Sequence, residues 1–352
     1  MEINDLLKRM QESVASDLHL RVGSPPMFRI DGALIPQNRI PILTSGDIET
    51  YLEKVSSEEQ RSTFASKLAL DFAYSIPGIS RFRVSVIRQK GTVSMVFHRV
   101  LLDIPSIDEL QLPQIYKSLA LKPRGLILVT GPTGNGKTTT LATLIHHVNM
   151  NTEKSILSIE DPIEFVHQNK RSSISQQELG LDTKSYPDAL IHALRQNPDV
   201  IVVGEMRDLV TISTVITAAE TGHLVFGTLH TTDAVQSIDR VVDMFPPIQQ
   251  QQIKIQLSQV LEAILSQTLV RRIDQGRIAA VEILIANYAI RNLIREGKTH
   301  QIYSVMETAS KDGMQTLSQA LTQLVQKRIV TREEALIKSS TPEKLERLLE
   351  YT

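Results

Sequence analysis

The chain has 352 residues, of which 41% are hydrophobic and 22% charged, with a formal net charge of −1. That length exceeds one ordinary core and implies two or three domains, and the composition excludes disorder as the default state. The balanced charge provides no overall basic field for nucleic acid, the absence of cysteine excludes disulfides and thiolate metal sites, and the absence of tryptophan, with 4% aromatics, disfavours base-stacking platforms.

The amino-terminal stretch MEINDLLKRMQESVASDLHL is polar and carries no signal peptide, and no apolar run nears the roughly 20 residues of a membrane span. The expectation is a cytoplasmic protein. Residues 1–100 read as a small α+β domain. Leu6, Leu7 and Met10 form a short helical face. SDLHLRV then alternates, with Leu18, Leu20 and Val22 on one side. Pro25 and Pro26 break that strand, SGDIETYLEKV reads as a helix, and RFRVSVI reads as a strand. Its Phe82, Val84 and Val86 face inward, which leaves Arg81, Arg83 and Ser85 on the opposite side.

Residues 101–113, with two prolines, read as a linker or short docking segment, and the domain from 114 to 352 has α/β character. GLILVT, SILSIED, VIVVGE and HLVFGTLH are apolar runs of strand length between helical stretches. Continuous apolar strands predict a mainly parallel sheet covered on both faces. The last third reads as mostly helical. In IKIQLSQVLEAILSQTL, residues Ile253, Leu257, Val260, Leu261, Ile264 and Leu265 fall at helical spacing, and RIAAVEILI adds a strand. TLSQALTQLVQKRI is amphipathic, TREEALIK opens with a capping box of Thr331 and Glu334, and TPEKLERLLE places a proline at the first helical position. The helical carboxy-terminal region spans about 287–352.

Residues 131–138, GPTGNGKT, match G-x-x-x-x-G-K-[ST] between an apolar strand and a helix, which is the context that this motif needs. Gly131, Pro132, Thr133, Gly134, Asn135 and Gly136 form a loop whose amides can converge on phosphate, with the helix dipole behind them. Lys137 supplies a point charge for the β- and γ-phosphates, Thr138 a hydroxyl for Mg²⁺, and Thr139 continues the nucleotide contact. The implied ligands are ATP and Mg²⁺. Such a site needs a carboxylate to organise the metal and a group to position the attacking water. Two strands end in candidates: Glu160, followed by Asp161 and Glu164, and Glu205, followed by Asp208. Glu205 is a metal candidate, directly or through water. His223 and His230 bracket the strand in ETGHLVFGTLHT and are candidates for phosphate or water contact. Arg81 and Arg83 read either as a solvated face or as charges that complete an oligomeric site, and Arg195, Arg207 and Arg240 are further candidates.

Together these segments resemble the secretion ATPase superfamily, and within it the PilT family of type IV pilus retraction motors. The likeness spans nearly the whole chain. SDLHLRVGSPPMFRIDG resembles the opening of the family's first domain, GPTGNGKTTTLATLI its phosphate loop and SIEDPIEFVH its Asp box. NPDVIVVGEMRD is similar to its atypical Walker B segment, TGHLVFGTLHTTDA to its His box, and AIRNLIREGKTHQI, residues 289–302, to a segment associated with retraction. The resemblance implies a RecA-like P-loop ATPase domain, a smaller amino-terminal α+β PAS-like domain, carboxy-terminal helices, and a homohexamer that binds ATP between its domains. It implies Glu160 as general base, Glu205 as organiser of metal or water, His230 and His223 as phosphate sensors, and Arg81 and Arg83 as catalytic arginines. It also implies work on an inner-membrane pilus platform protein, and through it on the pilin fibre, at the cytoplasmic face of the pilus base. A second retraction ATPase is a candidate partner and nucleic acid is not expected. Pilus-extension and secretion relatives carry a four-cysteine zinc module, which this cysteine-free chain cannot build. The alternative is a nucleic-acid translocase or conjugation-type secretion ATPase on the same scaffold.

One departure bears on the arginines. The family places an arginine directly after the apolar strand that ends the first domain, whereas VFHRV puts His98 there and Arg99 next. With a two-residue period these neighbours face opposite sides, so either the ladder bulges or an arginine contact is weakened.

Overall fold

The computed structural model describes residues 1–30, 32–77, 79–100 and 103–350. They divide into one unit of Met1–Asp103 with Glu164–Val166 and another of Ile104–Ile163 with His167 onward.

The first unit runs α1 (Ile3–Glu12), β1 (Asp17–Arg21), β2 (Met27–Ile30), β3 (Ala33–Pro36), α2 (Ser45–Val55), α3 (Glu58–Lys67), β4 (Ala69–Ile76), β5 (Ser80–Gln89) and β6 (Thr92–Val100). The strands form one antiparallel sheet in the order β3-β2-β1-β6-β5-β4. Its inner face is read directly from alternation: Leu18 and Leu20 on β1 and Phe82, Val84 and Val86 on β5 are buried with Leu6, Leu7 and Met10 of α1. The helix α2 starts where its capping chemistry dictates. Thr44 Oγ1 accepts from the amide of Asp47 at 3.3 Å and the Asp47 carboxylate accepts from the amide of Thr44 at 2.8 Å. Val22 lies beyond the end of β1 and is exposed, because the ladder with β6 stops at Arg21.

The ladder between β5 and β6 is regular, with Phe82 opposite Arg99, Arg83 opposite His98 and Arg81 opposite Val100. No bulge restores the arginine. His98 shares the outer face with Arg83 and engages Asp17, which also pairs with Arg29 at 3.1 Å. Arg99 shares the side of Phe82.

The second unit contains α4 (Ile115–Ala120), β7 (Gly125–Thr130), α5 (Lys137–Asn151), β8 (Ser155–Glu160), β9 (Ser173–Glu178), α6 (Tyr186–Ala193), β10 (Val200–Val203), α7 (Leu209–Glu220), β11 (Leu224–Leu229), α8 (Ala234–Asp243), α9 (Pro247–Val260), β12 (Leu261–Arg271) and β13 (Arg277–Ile285). The helices α10 (Tyr288–Glu296), α11 (Ile302–Thr308), α12 (Leu317–Gln326), α13 (Arg332–Lys338) and α14 (Pro342–Glu350) complete it. Its sheet has the order β13-β12-β7-β11-β10-β8-β9 and is parallel except for β13. Alternate residues feed two cores. Leu126, Leu128, Ile201, Val203 and Val225 pack into one, and Ile127, Val129, Val200, Val202 and Phe226 into the other. This is why these strands carry unbroken apolar runs. No helix among the described residues is long and apolar enough to cross a membrane.

Three expectations need correction. The helical pattern of residues 253–269 breaks at Val260, where α9 ends and β12 begins. From Leu261 the apolar residues serve the two covered faces of a central strand, with Ile264 in one core and Ala263 and Leu265 in the other, so their helical spacing is coincidental. The segment expected as a linker starts with Leu101 and Leu102, which lie outside the described residues. Its residues 104–113 belong to the second unit, because Ile107 and Leu112 are buried beside Tyr116 and Leu144 and Pro105 accepts from Thr143 Oγ1 at 2.9 Å. Thr331 caps α13 by accepting from the amide of Glu334 at 3.2 Å. The Glu334 carboxylate accepts instead from the amide of Arg271 at 3.0 Å, which replaces the reciprocal half of the capping box with a tie to β12.

Candidate active site

Residues 131–136 connect β7 to α5, and Gly136, in the left-handed region at φ +78°, is the residue before the first turn of α5. Gly131 is required sterically. A Cβ there would lie 2.5 Å from the Gln267 carbonyl oxygen, and its φ of +145° is one that L side chains rarely adopt. The strand β12 clamps the loop: Gln267 Nε2 donates to the Asn135 carbonyl, and the amide of Leu269 donates to Asn135 Oδ1 at 2.8 Å. Gly131→Ala should weaken nucleotide binding by about 10-fold or more, from a local strain of roughly 1–3 kcal/mol. Titration with a fluorescent ADP analogue checks this, and affinity equal to that of the unsubstituted chain contradicts it.

Lys137 opens α5 and is largely buried, and its ammonium donates to the carbonyls of Gly131 at 2.7 Å and Pro132 at 3.1 Å. His230 follows β11, the strand beside β7, and its Nδ1 lies 3.4 Å from Lys137 Nζ and 3.3 Å from Thr133 Oγ1. Its Nε2 lies 3.0 Å from Glu205 Oε1. An ammonium only donates, so Nδ1 accepts, and Nε2 carries the proton that it donates to Glu205. Arg207 donates to the other oxygen of Glu205 at 2.6 Å. Burial alone would raise the Glu205 carboxyl, but the hydrogen bonds from Arg207 and His230 outweigh it and hold the group below the usual carboxylate range, so it is an anion at neutral pH.

Glu160 ends β8 and is buried. Its Oε1 accepts from Ser158 Oγ at 2.7 Å and from Gln176 Nε2 at 3.0 Å. A glycine lets the two acidic segments approach: a Cβ on Gly204 would lie 3.1 Å from the Glu160 Cα. The phosphate loop, Glu160, Glu205 and His230 thus share the carboxyl edge of the parallel sheet, where an open α/β fold places its ligand. Thr138 and Thr139, in the first turn of α5, are partly accessible. Asp208 is spent on capping α7, where it accepts from the amide of Thr211 at 2.9 Å.

His223 does not join this cluster, which corrects the expectation for it. It precedes β11 while His230 follows it, so the two are separated by the length of the strand, about 20 Å at roughly 3.3 Å per residue. His223 Nδ1 instead lies 2.9 Å from the Ala218 carbonyl, and its own carbonyl accepts from the amide of Gly125, at the amino end of β7. His230→Ala should therefore lower ATP turnover by about 10-fold or more, by removing a polar group at the phosphate edge, whereas His223→Ala should change it far less. Side-by-side steady-state assays decide, and equal losses contradict the geometry. Arg81 and Arg83 lie on the outer side of β5, in the first unit.

Sequence reasoning missed three side chains at this edge. Gln176 supports Glu160 from β9, and an i, i+2 reading of SILSIE would have paired Glu160 only with Ser158. Gln267 was hidden by the helical reading of its strand. Tyr186, in the first turn of α6, is buried with its hydroxyl where a Cβ on Gly204 would meet it at 3.1 Å, and burial with the nearby Asp161 and Glu205 carboxylates raises its pKa far above that of a free phenol. It is a neutral hydroxyl at any working pH.

Comparison with known proteins agrees with the geometry. Residues 3–275 match the model of the type II/IV secretion system protein family. The chain is 46% identical over 343 residues to the type IV pilus retraction ATPase PilT of Pseudomonas aeruginosa, covering 97% of this chain and 99% of that protein. It is 45% identical to a twitching motility protein of Neisseria gonorrhoeae, covering 91% and 86%. A crystal structure of the pilus retraction motor PilT with bound ADP superposes with a TM-score of 0.93 at 46% identity, covering 99% of both chains. The fold is accordingly a RecA-like ATPase domain with a smaller PAS-like α+β domain. The chain belongs to the type II/IV secretion system protein family and, within it, to the PilT group.

Proposed function

We propose that this chain is an ATP-hydrolysing motor that powers type IV pilus retraction. The observation that carries the reading is the line Lys137–His230–Glu205–Arg207 at the carboxyl edge of the parallel sheet, with Glu160 on the adjoining strand. It gathers a cation, an imidazole and two carboxylates beside the phosphate loop, which supports reading them as the groups that meet the triphosphate. Lys137 moves from the loop carbonyls to the β- and γ-phosphates, beside the amino end of α5, whose dipole favours an anion. His230 is released from Lys137 by that move and reports the γ-phosphate to Glu205. Glu160 takes the proton of the attacking water. Arg81 and Arg83, on a strand that resembles the family's first domain, are carried over as the candidate arginines of the reaction.

Mg²⁺ fits this donor set as a companion of the substrate. Among the described residues no three His, Cys, Asp or Glu side chains form a cation cage. A cation held by phosphate oxygens, water and one or two protein groups is how Mg²⁺ binds. Thr138 and, through water, Glu205 would hold it, where it neutralises developing phosphate charge.

By its membership of the PilT group we extend the reading to a homohexamer at the cytoplasmic face of the inner membrane, acting on a platform protein and thereby on pilin, alone or with a second retraction ATPase. Imaging of pili in a deletion strain tests the direction of the motor. Hyperpiliated cells whose pili do not retract support retraction, and bald cells overturn it in favour of extension.

A further inference from the structure

Glu282 sits in the middle of β13, opposite Ser266 of β12, and is 2% exposed. A buried carboxylate is costly unless its oxygens are satisfied. Here they take backbone amides from two helix starts. Oε1 accepts from the amide of Ala234, the first residue of α8, at 2.9 Å, and Oε2 accepts from the amide of Leu317, the first residue of α12, at 3.4 Å. These amides lack partners within their own helices, and both dipoles favour an anion between them. Burial pushes the carboxyl up to about 7, with the Asp233 charge adding to the rise and the two amides opposing it.

The helix α8 begins only four residues after β11, and those residues, 230–233, include His230. The same loop is held a second time. Thr231 Oγ1 lies 2.6 Å from Ser237 Oγ, which reaches Thr130 Oγ1 at 3.4 Å, and Thr130 Oγ1 lies 2.7 Å from Ser266 Oγ. The hydroxyl chain thus ends at the residue paired with Glu282.

We propose that Glu282 is a positioning residue for ATP hydrolysis: it ties the first turn of α8, and with it the loop that sets His230 against Lys137 and Glu205, to the start of α12 in the carboxy-terminal helices. The inference rests on the role proposed for His230. A carboxamide at position 282 keeps the shape but offers one acceptor and one donor, so one helix start faces a donor and is displaced.

The test is a double-mutant cycle on the purified full chain with Glu282→Gln, His230→Ala and the pair, read as kcat and KM for ATP. Glu282→Gln should lower kcat roughly 10-fold, as small misplacements of reacting groups do, with little change in KM. In the His230→Ala background it should cause no further loss. Unchanged kcat in the single variant, or the same fractional loss in both backgrounds, overturns the inference. Undiminished turnover in His230→Ala alone removes the role of His230 instead, so the two failures are distinguishable. If Glu282→Gln does not fold, Glu282→Asp is read in the same cycle, since it keeps the charge and withdraws it by one methylene. The same pattern is expected, and full activity of Glu282→Asp overturns the inference as well.

Discussion

Lys137→Ala should abolish ATP turnover, with a loss on the order of 100- to 1000-fold, comparable to removing one preorganised donor from developing charge. The ammonium is the one cation in the sequence of the phosphate loop itself, and it donates to the Gly131 carbonyl at 2.7 Å. Folding should survive. The side chain contributes two hydrogen bonds to loop carbonyls, worth about 1 kcal/mol each in net terms, and its removal relieves the burial of a charge. The sheet on either side is held by the strand ladders β12–β7–β11, which do not involve the side chain. Phosphate release and thermal unfolding measured on the same preparation check both halves. Turnover within a few-fold of the unsubstituted chain contradicts the role, and an unfolded variant contradicts the view that this lysine works on ligand.

Glu160→Gln should lower turnover by roughly 100- to 10,000-fold, the range for removal of a positioned base, while nucleotide still binds. The carboxamide oxygen can keep the hydrogen bonds that Oε1 accepts from Ser158 and Gln176, so β8 should hold its shape. What is lost is the capacity to take a proton from water. Single-turnover hydrolysis with binding measured in parallel separates the two. Rapid hydrolysis by the bound variant contradicts the assignment of the base and transfers it to Glu205. The loss should exceed that of His230→Ala, because a residue that reports phosphate adjusts the reaction whereas the base carries it.

Much of the site was legible because its chemistry is local in sequence. The eight residues of the phosphate loop, and the apolar strands that end at Glu160 and shortly before Glu205, announce themselves through composition and order. A parallel sheet covered on both faces then forces all three to one edge. The same rule disqualifies His223: one histidine leads into the strand and the other leaves it, so only one can stand at the carboxyl edge. The sequence held that information, and the resemblance to the His box obscured it.

Other parts were not legible for definite physical reasons. Residues 261–269 look helical because a strand feeding two cores has no two-residue alternation to show. β2, β3 and β4 are short or edge strands whose residues are largely exposed or half-buried, which weakens the pattern. Gln267 and Glu282 depend on pairings far apart in the chain, Gln267 with Asn135 and Glu282 with Ala234 and Leu317, that only topology brings together. His98 illustrates the converse. Its departure from the family pattern was visible, and the unbroken register with β5 decides that its neighbour does not take over the missing position.

The central claim is that cleavage of ATP at residues 131–138 powers withdrawal of the pilus. The most direct measurement is live imaging of labelled pili in cells whose sole retraction motor is the Lys137→Ala variant, expressed at the normal level. The account expects pili that extend and remain extended. Retraction at normal frequency and speed in those cells would contradict it.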